Sequence, residues 1–433
     1  MRKIAFAVCA VCAVCAGLGG GCGVSSDGPD GAAVANDAGA CDAADAQSSD
    51  VTTRDTGSSD AATEADVAPP PCPDGATLLA DRTACPSARP GALASAAVAS
   101  VRGDVITLGG VDEGALPCLP VRVCAPADAP TLLFSDSPES PSANGVLYAD
   151  VVPAGRFRVY VYHANGGTTL RKFPVVVLNE GAVDAHVTIE HAGVAPAPSQ
   201  DYVGIGKAVA KAWLASQGGA TITVPAGMRV LLDAALDALH AANAELVHAI
   251  YDLRVDAPVK ISVVSVDAST DAAAAASGLS LLTAIGGDGR GTFAGADVLL
   301  VPSAPLDAIG MAHLRLGGGV TDDDLRGVDA TSGLPVTLKG NFGVLYRMRF
   351  DARANVALAV APRGTDWGGA AEIAPGVDAP TPFVLLPRAQ TSLGTVTDAI
   401  SLGRFAAGSA PYVRLFTAGG SNLPIDVVIA PLP

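Results

Sequence analysis

The stretch Gly145–Ala164, GVLYADVVPAGRFRVYVYHA, constrains the fold more than any other. Phe157, Val159, Val161 and His163 alternate with Arg158, Tyr160 and Tyr162. That period of two, carried by aromatic and β-branched residues, specifies a strand whose two faces differ. Pro153-Ala-Gly supplies the turn before it. The same rhythm recurs on both sides, in Val101–Leu108, Pro120–Cys124, Thr131–Phe134, Pro174–Leu178 and Ala185–Glu190. Short strands at this spacing, punctuated by Gly, Pro and Asp, predict a mainly β chain built as a β-sandwich over residues 72–200.

From residue 201 onward the pattern is mixed. Ile205–Ser216 has helical spacing and stops before Gly218 and Gly219, so a short helix is expected there. Met228–Ala244 places Leu231, Leu232, Ala235, Leu236 and Leu239 on one helical face. Strands are expected at Thr221–Val224, Leu246–Val255, Val259–Val266, Asp297–Val301, Val336–Leu338, Val344–Phe350, Val356–Val360, Phe383–Leu386, Tyr412–Phe416 and Ile425–Ile429. The expectation is two β-sandwich-like domains with few short helices, the larger over residues 201–433.

The first 71 residues read differently. Arg2 and Lys3 precede an apolar run from Ile4 to about Leu18, then Gly19-Gly20-Gly21 and Cys22. A basic head, a short apolar segment and small residues ending at a cysteine look like a lipoprotein-type export signal over residues 1–22. The run falls short of the roughly 20 residues that a spanning helix needs. Cys22 would take the lipid and anchor the chain to a membrane; simple secretion, with cleavage at a residue such as Ala16, is the alternative. Gly19 stands where such signals usually have leucine, because Leu18 lies four residues before Cys22 rather than three. Residues 23–71 are Ala, Asp, Ser, Thr and Gly, with ten acidic residues against Arg54 alone. Too little can be buried there to offset chain entropy, so a disordered acidic tether is expected. A coil of about 48 residues spans roughly 40 Å.

The whole chain carries a formal charge of −16. An acidic surface repels phosphate backbones, which argues against nucleic acid as a partner. Of nine cysteines, Cys9, Cys12 and Cys15 lie within the signal and Cys41 stands alone in the tether. Cys72, Cys85, Cys118 and Cys124 form an even set, read as disulfides in an oxidising compartment. Pairs Cys72–Cys85 and Cys118–Cys124 would each close a short local loop, although four cysteines allow three connectivities.

Several blocks occur together in order: SDSPES (Ser135–Ser140), GVLYAD (Gly145–Asp150), GRFRVYVYHAN (Gly155–Asn165), VVLNEG (Val176–Gly181) and KGNFGVLYRMRF (Lys339–Phe350). Their run, from about Leu133 to the C-terminus, resembles a family of exported proteins of unknown function known mainly from cyanobacteria. There a "SPE…GIL" segment precedes a "GRFDIFAHH" strand and a later "GNYGVVYRI" strand. The resemblance implies an envelope protein with β-rich domains and supplies no activity. Tyr162 and His163 stand where that family often has two histidines, so a two-histidine metal site does not transfer.

The remaining motifs are sparse. Gly204-Ile-Gly-Lys207 lacks the upstream glycine of a phosphate loop, and Ala208 replaces its hydroxyl residue. Gly286–Gly295 is glycine-dense without the strand and helix that a dinucleotide site requires. His163, His186 and His191 lie close enough along the chain to share a site. In GVTDDDLRGVD the carboxylates Asp322, Asp323, Asp324 and Asp329 are the candidates for a bound calcium ion, at a spacing that is not an EF-hand. Asp323 and Asp324 would otherwise cap a helix starting at Leu325 or face water. Asp136 and Glu139 are the closest approach to paired catalytic carboxylates, or else they close a turn at Pro138. A sugar platform would need Trp213 or Trp367, the only tryptophans, at a surface. No catalytic residue is assigned and no cofactor is required. The sequence thus supports a lipid-anchored envelope protein with a binding or structural role toward an unidentified envelope or extracellular ligand. A carbohydrate-binding or adhesive module, or a hydrolase assembled from distant loops, are the alternatives.

Overall fold

The computed structural model describes residues 72–432 except 74, 83–99, 109–115, 286–288, 307–309, 320 and 377–381. The signal, Cys22, Cys41, the tether and Cys85 lie outside the described residues. Among the described residues the chain is mainly β, with four sheets and few short helices.

Gly155–Ala164 sits inside the eight-stranded sheet, between Leu246–Val255, antiparallel, and Thr131–Ser135, parallel. The alternation read from its sequence sorts side chains between two cores rather than between core and water. Phe157, Val159 and Val161 enter one apolar cluster, with Leu133, Val247, Ala249 and Tyr251. Tyr160 and Tyr162 enter another, with Leu132, Phe134, Leu246 and Ile250. Everything from Phe157 to Ala164 is therefore buried.

The first cluster is closed by a five-stranded sheet containing Gly145–Val152 and Val259–Asp267. Pro153-Ala154 is thus a corner between sheets rather than a hairpin within one, and Asp256-Ala257-Pro258 is its counterpart. Proline suits both corners, because it has no N–H to leave unpaired where the ladder ends. The second cluster packs against the seven-stranded sheet, which includes Val121–Ala125, Asp297–Pro302, Leu345–Arg349 and Tyr412–Thr417. Another five-stranded sheet, with Val356–Pro362, Asp398–Phe405 and Ile425–Pro431, buries Leu358, Leu402 and Val427 in the same cluster.

The short helix expected near Ile205 is Tyr202–Ala215, 14 residues long. Asp201 caps it, its carboxylate accepting from Gly204 N at 2.9 Å. Ile205, Val209, Ala210, Trp213 and Leu214 form its buried stripe. Met228–Ala244 is not a helix: only Ala234–Asp237 is helical there, after the strand Arg229–Leu231. Pairing of that strand with Val175–Leu178 takes Leu231 out of the helical pattern, and only Ala235 and Leu236 of the expected face stay helical.

The expected division at residue 200 is also corrected. Every one of the four sheets contains strands from both sides of that position. The disulfide pairing differs too. Cys72 is bonded to Cys124, which excludes Cys72–Cys85 and Cys118–Cys124. Strand register is the reason: Thr77–Arg82 pairs with Val121–Ala125, setting Leu78 opposite Cys124 and bringing Cys72 within bridging distance. Cys118 is disulfide-bonded as well.

Candidate functional site

In so acidic a chain the arginines are informative, since each either neutralises carboxylates or serves something else. Arg158 belongs to the first kind. Fully buried, it donates from Nε and Nη2 to Asp252 at 2.7 and 2.9 Å, and from Nη1 to the carbonyls of Ala296 and Gly343, both at 3.0 Å. Nη2 also lies 2.9 Å from Asp297, and the ring of Trp213 lies under the guanidinium. Burial opposes its charge, but Asp252 and Asp297 outweigh that and raise its pKa. Four hydrogen bonds and the ion pair with Asp297 surround it, so it fastens the eight-stranded sheet to the seven-stranded one.

The SDSPES segment forms a second polar cluster. His163 Nδ1 meets the Pro138 carbonyl at 3.0 Å, and a carbonyl only accepts, so Nδ1 carries the proton. Nε2 then accepts from the Ser135 hydroxyl at 2.9 Å. Burial pushes the imidazole down to about 3. Ser135 and His163 are both fully buried, so this pair orients the segment and does not meet a substrate. What it orients is Asp136 and Glu139. Burial, and then the neighbouring charge of Glu139, hold the Asp136 carboxyl well above the ordinary aspartate range. Its Oδ1 is shut off from solvent and has no hydrogen-bond partner among the described residues. Glu139 stands at the exposed rim and is also raised by burial of its carboxyl. Tyr160 and Tyr162 lie in the same electrostatic neighbourhood. Gly419 is what lets the connection between the strands Tyr412–Thr417 and Ile425–Pro431 approach them: a Cβ there would sit 2.5 Å from the Tyr162 ring and 2.8 Å from the Tyr160 hydroxyl.

The third feature is a cavity of about 860 Å³, within the range of small-molecule sites. Phe383, Val384, Phe405 and Leu432 give it apolar walls, and Arg102 and Arg404 are its charged groups. Arg102 sits on a turn, Ser100–Asp104, that is sewn to the strand Asp398–Phe405. Gly103 N donates to Ser401 O at 2.8 Å, Ser401 N to Asp104 O at 2.9 Å, and the Ser100 hydroxyl to that of Ser401 at 2.9 Å. Gly403 lies at a register shift in that strand with φ of 114°, and a Cβ there would meet Arg102 Nε at 2.8 Å. The bulge thus makes room for the guanidinium, which lies 5.6 Å from the Phe405 ring centroid. Nothing in the sequence marked Arg102; only the positive φ of Gly403 and the distant strand pairing bring the cavity together.

The calcium candidates do not converge. Buried Asp322 accepts from Asn341 Nδ2 at 2.9 Å, Gly317 N at 3.0 Å and the Tyr346 hydroxyl. Exposed Asp323 pairs with Arg82, and Asp324 accepts from Gly340 N. Asp329 binds Arg290 and Thr331. Leu325–Asp329 is a strand and not the helix those carboxylates would cap. Among the described residues no group of three or more His, Cys, Asp or Glu is placed to hold a metal. His186 pairs with exposed Asp256 and His191 with Ser216 O, so neither joins His163. Lys207 donates to the carbonyls of Pro387, Gln390 and Thr391, which accounts for it without a phosphate. Both tryptophans are buried, which removes them as sugar platforms.

No family model matches the chain, and no curated protein matches it. Among solved structures, a vicilin from Capsicum annuum aligns at 14% identity over 69% of this chain and 85% of that chain. Its TM-score of 0.10 gives the likeness no weight in any argument about fold or function.

Proposed function

We propose that the chain is an exported, lipid-anchored protein of the bacterial envelope, outer membrane or cell surface, that binds a small ligand in the cavity beside Arg102. The cavity carries the reading: it is large enough for a ligand, and its walls combine apolar surface with fixed polar groups. The Cys72–Cys124 disulfide supports an oxidising compartment, and the signal-like residues 1–22 support export with Cys22 as anchor. The acidic residues 23–71 would hold the binding body away from the bilayer.

Two experiments test this. Cys22→Ala should move the protein from the membrane fraction to the soluble one; unchanged membrane association contradicts the anchor. For the cavity, phenylnaphthylamine, a small neutral apolar fluorophore, should bind saturably. Ala406→Trp, which places an indole on the exposed rim, should abolish that binding. No saturable binding, or binding indifferent to Ala406→Trp, contradicts the site.

Asp136 and Glu139 favour a second reading, acid–base hydrolysis. A carboxyl whose pKa burial raises, beside an ionisable partner, is the arrangement a general acid requires. Under that reading Asp136→Asn removes any hydrolytic activity found in the purified protein, and an activity that survives Asp136→Asn rules it out.

A further inference from the structure

We infer that the cavity selects an anionic ligand: a small molecule with an apolar body and one acidic head group, held by Arg102 and Arg404. The inference rests on the binding role proposed above and names its ligand class.

Charge distribution is the first argument. The chain holds 43 acidic residues against 27 Lys and Arg, yet among the described residues no carboxylate lines this cavity and two arginines do. A local reversal of the overall sign is what an anion site requires, because the surrounding acidic surface repels an anion everywhere else.

Unused donors are the second. Arg102 makes one hydrogen bond among the described residues, from Nη1 to the Ile373 carbonyl at 2.9 Å. That bond and the Phe405 ring set the plane of the guanidinium, and the remaining N–H groups are left for a ligand. Burial lowers its pKa, so an anion at this point would relieve a cost already present in the empty site. Arg404, on the same bulged strand, is exposed at the mouth and meets no carboxylate among the described residues. The contrast with Arg158, whose charge is met by both Asp252 and Asp297, shows that this fold does neutralise an arginine when it has only packing to serve.

The walls supply the third. Phe383, Val384, Phe405 and Leu432 continue from the guanidinium into the cavity, so a bare inorganic anion would leave most of the lining uncovered. The ligand therefore needs an apolar body attached to its charge.

The test compares two fluorophores of the same ring system on the full chain: anilinonaphthalene sulfonate, and phenylnaphthylamine, which lacks the sulfonate. A charge-assisted contact to arginine predicts that the sulfonate binds about tenfold more tightly. Arg102→Leu and Arg404→Ala should each bring its affinity down toward that of the neutral probe, which itself stays unchanged. Arg326→Ala, an exposed arginine on the eight-stranded sheet, should leave both probes unaffected. A long-chain carboxylate should displace the sulfonate, and the matching alcohol should do so far less well. Equal binding of the two fluorophores overturns the anion preference while leaving a ligand cavity standing. Absence of saturable binding by either overturns both. A sulfonate affinity that survives both cavity substitutions also overturns the assignment. Because Arg404 is exposed and meets no carboxylate among the described residues, its replacement keeps the test informative even if Arg102→Leu fails to fold.

Discussion

Arg158 and Arg102 are the same residue type in one acidic chain, and their surroundings are opposites. Arg158 lies between two sheets with two carboxylates, two carbonyls and an aromatic ring around it. Arg102 lies on a stiffened turn at a cavity wall with one carbonyl and one ring. The first is complete and the second is open. A buried charge that is fully paired is a fastener whose removal strands its partners; a half-satisfied one facing a cavity is a site.

That contrast orders the expected effects on stability. Arg158→Met should cost the most, about 3–5 kcal/mol, because it strips buried Asp252 of its cation and leaves buried Asp297 with Arg347 alone. Denaturant unfolding measures it, and a loss below about 1 kcal/mol would break the fastener account. Cys72→Ser should cost about 2–4 kcal/mol by freeing the unfolded chain, since the bridge closes a separation of 52 residues. Unfolding with and without reductant should then coincide in that variant only if Cys118 contributes nothing.

Asp136→Asn should act in the opposite direction. The folded carboxyl has a pKa above its unfolded value, so the protein holds that proton more tightly when folded. The resulting stability is full below the ordinary aspartate value and is lost as pH rises through the raised one. Asparagine should therefore stabilise the protein at neutral and alkaline pH, with the gap closing as pH falls toward the ordinary aspartate range. A gap that is constant with pH would contradict the assignment. Arg404→Ala should have the smallest effect, within about 0.5 kcal/mol, while reducing binding of an anionic probe.

Much of the architecture was legible in the residues, because strands declare themselves locally. Leu246–Val255 and Phe383–Leu386 are strands over the bounds that their β-branched and aromatic runs suggest. Ile205–Ser216 likewise announced the helix Tyr202–Ala215 through its spacing and the glycines beyond it. What could not be read were the properties set by distant partners. The alternation in Phe157–His163 does not say that its second face meets a second core. Cys72 looks closest to Cys85 along the chain, and only the register of Thr77–Arg82 on Val121–Ala125 selects Cys124. Asp136 and Glu139 stood out by their spacing, yet the tyrosines beside them and the histidine that orients them required the sheet. Arg102 carried no signal at all, since its turn, its bulged neighbour and its cavity come from opposite ends of the chain.

The central claim is that Arg102 and Arg404, and not the buried network around Arg158, are the arginines that meet a ligand. A crystal structure of the protein with anilinonaphthalene sulfonate tests it most directly. The sulfonate oxygens are expected within hydrogen-bond distance of both guanidinium groups, with the rings against Phe383 and Phe405. Density for the probe at any other place, with the cavity empty, would contradict it.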